Sequence, residues 1–180
     1  MRPTLWTLAI ADSCGPILSI RVGASKATGS IIVPMEQGIR EEIRIGQLAI
    51  RFLVEGQQSG GSVAIFECDV PAGAKVPAAH SHDGYEETIY GLEGVVTLTV
   101  DGRRSDIRPG EALCIPRGAV HRFDNVHAVD AKMLAIVSPG ILGPGYFREI
   151  AAVMKAAAGG PPDPAALAEV MRRHGLTAAQ

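Results

Sequence analysis

Residues 73–94 read GAKVPAAHSHDGYEETIYGLEG, and residues 110–125 read GEALCIPRGAVHRFDN. The first stretch carries His80, His82 and Glu87, and the second carries His121. His80 and His82 lie two residues apart in an extended stretch, so both imidazoles face the same side. Glu87 opens the next strand across the Asp83-Gly84 turn, and its period-two partners Ile89 and Gly91 direct it into the same cavity. His121 opens a later strand behind Pro116-Arg117-Gly118. Taken singly, a histidine is more often a surface or core residue than a ligand. Three imidazoles and a carboxylate converging from separate strands instead predict a site for one first-row transition metal, with positions left over for water, dioxygen or substrate.

The segments on either side predict an all-β fold. Ile43, Ile45, Leu48, Ile50, Phe52 and Val54 alternate around Gly46-Gln47, as in a hairpin. Further β-rich runs cover 62–70, 87–92, 95–100, 112–115, 119–123 and 132–137, with an earlier one at 31–33 stopped by Pro34. Asp101-Gly102 is a two-residue hairpin signal. Short strands at regular spacing with turn chemistry between them indicate a sandwich or barrel. After Pro139-Gly140 the period changes, and Tyr146, Phe147, Ile150, Val153 and Met154 recur at helical spacing. Asp163 as N-cap, Pro164 at the first helical position and Gly175 as the stop predict a second helix over 163–174. Neither helix carries a chemical motif, so both are expected on the outside of the barrel or at a subunit interface. The expected organisation is an N-terminal arm at 1–30, a barrel at 31–139 and a helical segment at 140–180.

A chain of 18.9 kDa buries about 69% of its extended surface, enough for a core without disulfide staples. With 47% hydrophobic and 20% charged residues, global disorder is excluded. The net charge of −2 leaves no cationic footprint for phosphates, so nucleic acid is not an expected partner. Cys14, Cys68 and Cys114 are too scattered for a metal knuckle and are expected as small buried residues in a reducing compartment. No run of eighteen apolar residues exists, so no membrane span is expected. The apolar stretch 5–10 after Arg2 only imitates a signal peptide, being short and followed by Asp12. The expectation is a cytoplasmic protein.

From Gly73 the spacing is G-x6-H-x-H-x4-E-x6-G, and from Gly110 it is G-x5-P-x-G-x2-H-x3-N. These closely resemble the two signature motifs of the cupin superfamily over about residues 31–139. The second motif matches at every specified position, and the first carries one extra residue between Gly73 and His80. The resemblance implies a cupin jelly-roll barrel with His80, His82, Glu87 and His121 as ligands of one divalent metal per barrel. Fe(II) heads the expected ions, with Mn, Ni, Cu or Zn as the others. Glu86 is the competing carboxylate; the six residues between Glu87 and Gly94 favour Glu87, which sends Glu86 outward with Thr88 and Tyr90. Gly73, Gly94, Gly110 and Gly118 are expected at turns, and Asn125 is expected to close the loop after the metal strand.

Glu86–Gly94, Gly60-Gly61, and Pro139-Gly140 followed by Tyr146-Phe147 resemble the bacterial quercetin dioxygenase-like cupins. That implies a dioxygenase acting on a small enol, catechol or flavonol-like substrate, with Glu87 as ligand or proton acceptor. Ile89, Gly91 and Phe123 are the expected pocket residues, Gly91 leaving room where a branched side chain would fill the barrel. Arg117 and Arg122 flank His121 but are expected as surface charges. The competing functions are a non-redox metal-dependent isomerase or decarboxylase, and a cupin that binds a small molecule without catalysis. The expected assembly is a homodimer.

Overall fold

The structure, a computed structural model, describes residues 40–74, 76 and 78–179. The arm expected at 1–30, the strand at 31–33 and Cys14 lie outside the described residues. Eleven strands and two helices follow in chain order. The strands are β1 (Ile43–Ile45), β2 (Leu48–Val54), β3 (Ala64–Val70), β4 (His80–His82), β5 (Glu86–Glu93) and β6 (Val96–Val100). Then come β7 (Arg103–Ile107), β8 (Ala112–Ile115), β9 (His121–Asp124) and β10 (Ala131–Ser138). Helices α1 (Pro144–Ala156) and α2 (Pro164–Arg173) lead to a last short strand, β11 (Leu176–Ala178).

Burial alternates along β3 and β10, whose residues 64, 66, 68, 70 and 131, 133, 135, 137 point inward. This is the period-two pattern of strands with one face on the core. The strands form two antiparallel sheets, ordered β1-β2-β3-β10-β5-β8 and β11-β4-β9-β6-β7. Their inner faces share one apolar core, to which Phe66, Ile89, Ile115 and Val137 contribute from the first sheet and Val96 and Leu98 from the second. The architecture is a jelly-roll barrel. At the β6–β7 turn Asp101 and Gly102 both take positive φ, 46° and 77°, as a two-residue primed hairpin turn requires.

The C-terminal segment departs from expectation. Asp163 does cap α2, its carboxylate accepting from the Ala165 amide at 2.9 Å, and Gly175 follows with φ 76°. But α1 does not simply coat the barrel. Tyr146 and Ile150 are buried, and the Phe147 ring packs 5.0 Å from Phe66 and 5.7 Å from Phe52. The chain then returns to the barrel as β11, pairing antiparallel with β4. Cys68 is buried as expected, whereas Cys114 is exposed, because it sits on the outer face of β8 at the sheet edge.

Candidate metal centre

The two sheets meet at the candidate ligands. β4 brings His80 and His82, and β9 brings His121, paired across the strands with His80. Glu87 comes from β5 in the other sheet, aligned between Ile115 of β8 and Val137 of β10. Glu87, His82 and His121 therefore converge only when the sheets pack face to face. Their ligand atoms all lie within 4.8 Å of one another. Glu87 Oε2 is 3.4 Å from His82 Nε2 and 3.4 Å from His121 Nε2.

Each imidazole is oriented through its other nitrogen. His82 Nδ1 donates to the Tyr85 carbonyl at 2.9 Å, His121 Nδ1 to the Ala119 carbonyl at 3.0 Å, and His80 Nδ1 to the Ala78 carbonyl at 3.2 Å. A carbonyl only accepts, so the proton sits on Nδ1 and the Nε2 lone pair is the free one. Such backbone anchoring is how metal-binding imidazoles are held in their working tautomer. The Tyr85 ring also stacks on His82, with centroids 4.0 Å apart and planes 18° from parallel.

Two imidazole lone pairs and a carboxylate oxygen crowded together call for a cation. His121 Nε2 is buried and has no hydrogen-bond partner, an orphan that a metal ion would satisfy. The electrostatics agree. Burial pulls the Glu87 carboxyl upward, but the neighbouring His121 and His82 imidazoles outweigh it and hold the pKa at about 2. For His121, burial lowers proton affinity, yet Glu87 and the Ala119 carbonyl raise it above the usual value. The donor set is N2O, suited to a first-row transition metal and leaving coordination positions open.

His80 stands slightly apart. Its ring centroid is 4.5 Å from that of His121 and 6.2 Å from that of His82, and it faces the same cavity. It is not a member of the three-residue cluster. Burial, with the neighbouring imidazoles' charge, depresses its pKa to about 4. Glu86 points outward and pairs with Arg117 at 2.8 Å, Arg122 pairs with Asp124 at 2.6 Å, and His127 lies 3.3 Å from the Thr97 hydroxyl. Asn125 closes the loop after β9, donating to the Val70 and Val129 carbonyls at 2.8 and 2.9 Å and accepting from the His127 amide at 3.0 Å.

Beyond the cluster is a cavity of about 70 Å³. Ile89 and Phe123 are among its lining residues, and Gly91 is not. Gly91 lacks a side chain for another reason: a Cβ there would lie 2.2 Å from the Arg108 carbonyl oxygen. The glycine admits the chain before β8, exchanging hydrogen bonds with Gly110 and Glu111 at 3.1 and 3.0 Å. Sequence reasoning missed Tyr85, Cys68, Tyr146 and Leu176, all of which line the cavity. Tyr85 could have been found, because it lies two residues before Glu87 and so shares its face. Burial raises the Tyr85 and Tyr146 hydroxyls well above the usual phenol range and pushes the Cys68 thiol up to about 12.

The family profile described as "Cupin domain" matches residues 66–137, which include all four candidate ligands. The barrel is a cupin domain. Its sequence is 26% identical over 122 residues to a quercetin 2,3-dioxygenase of Bacillus subtilis, covering 68% of this chain and 35% of that protein. It is 31% identical over 80 residues to an uncharacterized protein of Methanocaldococcus jannaschii, covering 44% of this chain and 63% of that one. The chain thus spans less than two thirds of the length of either relative. A crystal structure of a predicted oxalate decarboxylase from Thermotoga maritima superimposes with a TM-score of 0.53 at 19% identity, over 56% of this chain and 94% of that one. That likeness is one of fold. Among the described residues, no helix is long and apolar enough to cross a membrane.

Proposed function

We propose that this cupin is a metal-dependent dioxygenase acting on a small enolic, catecholic or flavonol-like molecule. The observation that carries the reading is the mostly apolar cavity beside the His82–Glu87–His121 cluster, into which Glu87 and His121 both face. The resemblance to a quercetin 2,3-dioxygenase supports the same class. His80, beside His121 in the same cavity, is the fourth ligand in this reading.

When bound, a divalent ion of the iron class would supply redox chemistry and hold an ionised substrate oxygen. The chain's own residues do the rest. The Tyr85 and Ala119 carbonyls fix His82 and His121 with Nε2 inward. Glu87, with its pKa held at about 2, is ionised at neutral pH and offers Oε2 to the ion beside His82 and His121. Ile89, Leu98, Phe123 and Met133 wall the cavity and keep bulk water from a reactive intermediate. The test is elemental analysis of the purified protein, followed by oxygen uptake after anaerobic Fe(II) loading, against β-diketones, catechols and flavonols. Oxygen consumption on one of these classes supports the proposal. Metal uptake with no oxygen consumption on any of them overturns it.

A further inference from the structure

Tyr85 is completely buried, yet its hydroxyl has no hydrogen-bond partner among the described residues. A buried hydroxyl left without a partner is costly, so its persistence calls for a partner that arrives later. The side chain lines the cavity beside the cluster. Its ring cannot swing away, because it stacks on His82 at 4.0 Å while its own carbonyl holds His82 Nδ1 at 2.9 Å. The phenol ring is therefore fixed face to face with the imidazole of one of the three clustered residues. Of the other polar side chains lining the cavity, Glu87 faces His82 and His121, the His80 and His121 Nδ1 atoms donate to the Ala78 and Ala119 carbonyls, and Cys68 Sγ is directed to the Asp69 carbonyl at 3.7 Å. Tyr146 adds a second hydroxyl, from α1.

The cavity also limits what can reach that hydroxyl. Pockets for drug-sized ligands span about 300–1,000 Å³, and a dry cavity of about 150 Å³ accepts benzene. At about 70 Å³, this one is smaller than either. Its walls include Leu142, Tyr146, Phe147 and Ile150, from α1 and the segment before it, and Leu176 of β11. A three-ring flavonol would have to displace these side chains. A short aliphatic body with two oxygens on one edge would not.

We infer that the cavity receives a compact anion bearing two oxygens, one directed to the His82–Glu87–His121 cluster and the other accepting a hydrogen bond from the Tyr85 hydroxyl. This inference rests on the dioxygenase reading for the metal, and it narrows the substrate to the small enolates within that class. Tyr85 is then a substrate-binding residue, and through its ring and carbonyl it also positions His82.

Acetylacetone, as its enolate, is the probe; azide, which needs only the metal, is the control. Binding of each to Co(II)-loaded protein is read from visible absorption, without oxygen, in the wild type and in Tyr85→Phe. Phenylalanine keeps the ring and removes only the unpartnered hydroxyl, so metal content and thermal midpoint should be unchanged or the midpoint slightly raised. Azide affinity should be unchanged, and acetylacetone affinity should fall about tenfold or more. Equal acetylacetone affinity in the two proteins overturns the role of Tyr85, as does a lowered midpoint with parallel losses for both probes, which marks a merely structural residue. Wild-type protein that binds a flavonol as tightly as acetylacetone overturns the size limit. Oxygen uptake is measured separately, so loss of the dioxygenase reading leaves the Tyr85 binding result standing, and the reverse also holds.

Discussion

His121 Nε2 is buried without a hydrogen-bond partner and lies 3.4 Å from Glu87 Oε2, which comes from the opposite sheet of the barrel. The Ala119 carbonyl has already taken the imidazole proton on the far side of the ring. What remains is a lone pair facing a carboxylate, an arrangement that a cation between them makes favourable. His82 repeats it with the same carboxylate oxygen.

Metal retention should follow that geometry. His121→Ala, His82→Ala and Glu87→Ala each remove a converging atom and should lose most bound metal under identical loading. Glu86→Ala and His127→Ala should retain it, because Glu86 is paired outward with Arg117 and His127 sits beside Thr97. Metal content by elemental analysis decides. Loss in Glu86→Ala with retention in Glu87→Ala would place the β5 register wrong by one residue. His80→Ala tests the fourth ligand: its ring abuts His121, and a drop of about 10-fold or more in affinity is expected for a residue that ligates or supports the site.

Metal binding should also release protons. His121 Nε2 gains a second proton as pH falls, and although burial opposes it, Glu87 and the Ala119 carbonyl raise that pKa above the ordinary 6.5. His80, its pKa depressed to about 4 by burial and its imidazole neighbours, keeps only its Nδ1 proton at neutral pH. An ion must displace that second proton, so affinity should weaken as pH falls through the raised His121 pKa. The expected slope there is about tenfold per pH unit for one displaced proton. Calorimetric titration in buffers of different protonation heat measures the release directly. Affinity that is flat across this range would show that His121 is not a ligand.

Gly91→Ala distinguishes two roles for one glycine. At a pocket position, a methyl group would be absorbed by the cavity. At this one it would meet the Arg108 carbonyl oxygen at 2.2 Å and carbon at 2.6 Å. The backbone before β8 must then move, at a cost of about 1–3 kcal/mol or more. A denaturant midpoint unchanged from wild type would return Gly91 to the pocket.

The ligand pattern and most strands were legible in the sequence because they rest on local chemistry. His-x-His on a strand, a glycine turn and a capped α2 need only neighbouring residues. What escaped reading depends on distant partners. β7 (Arg103–Ile107) is polar, with only Ile107 buried, so it shows no alternation beyond the Asp101-Gly102 turn that announces it. The helical spacing of Tyr146 and Ile150 shows that one face of α1 is buried but not that this face closes the metal cavity. Gly91 is explained by residue 108, and β11 by β4.

That last pairing carries the remaining prediction. β4 has only three residues, and β9 aligns with it at a single pair, His80 with His121. β11 aligns with all three, Leu176 with His82, Thr177 with Ser81 and Ala178 with His80, and the Ala179 amide adds a bond to the Ala79 carbonyl at 2.9 Å. Most of the register that holds the two histidines thus comes from a strand that follows both helices. Deleting residues 176–180 should reduce metal affinity about 10- to 100-fold, as loss of an orienting contact does. Leu176→Ala separates register from packing: it keeps the β11 backbone, costs about 2–5 kcal/mol for the emptied core volume, and should leave bound metal unchanged in protein that is still folded. Thr177→Ala, whose side chain is exposed, should change neither quantity. A truncated protein that retains metal with wild-type affinity would show that β9 and the local carbonyl anchors suffice to hold the ligands.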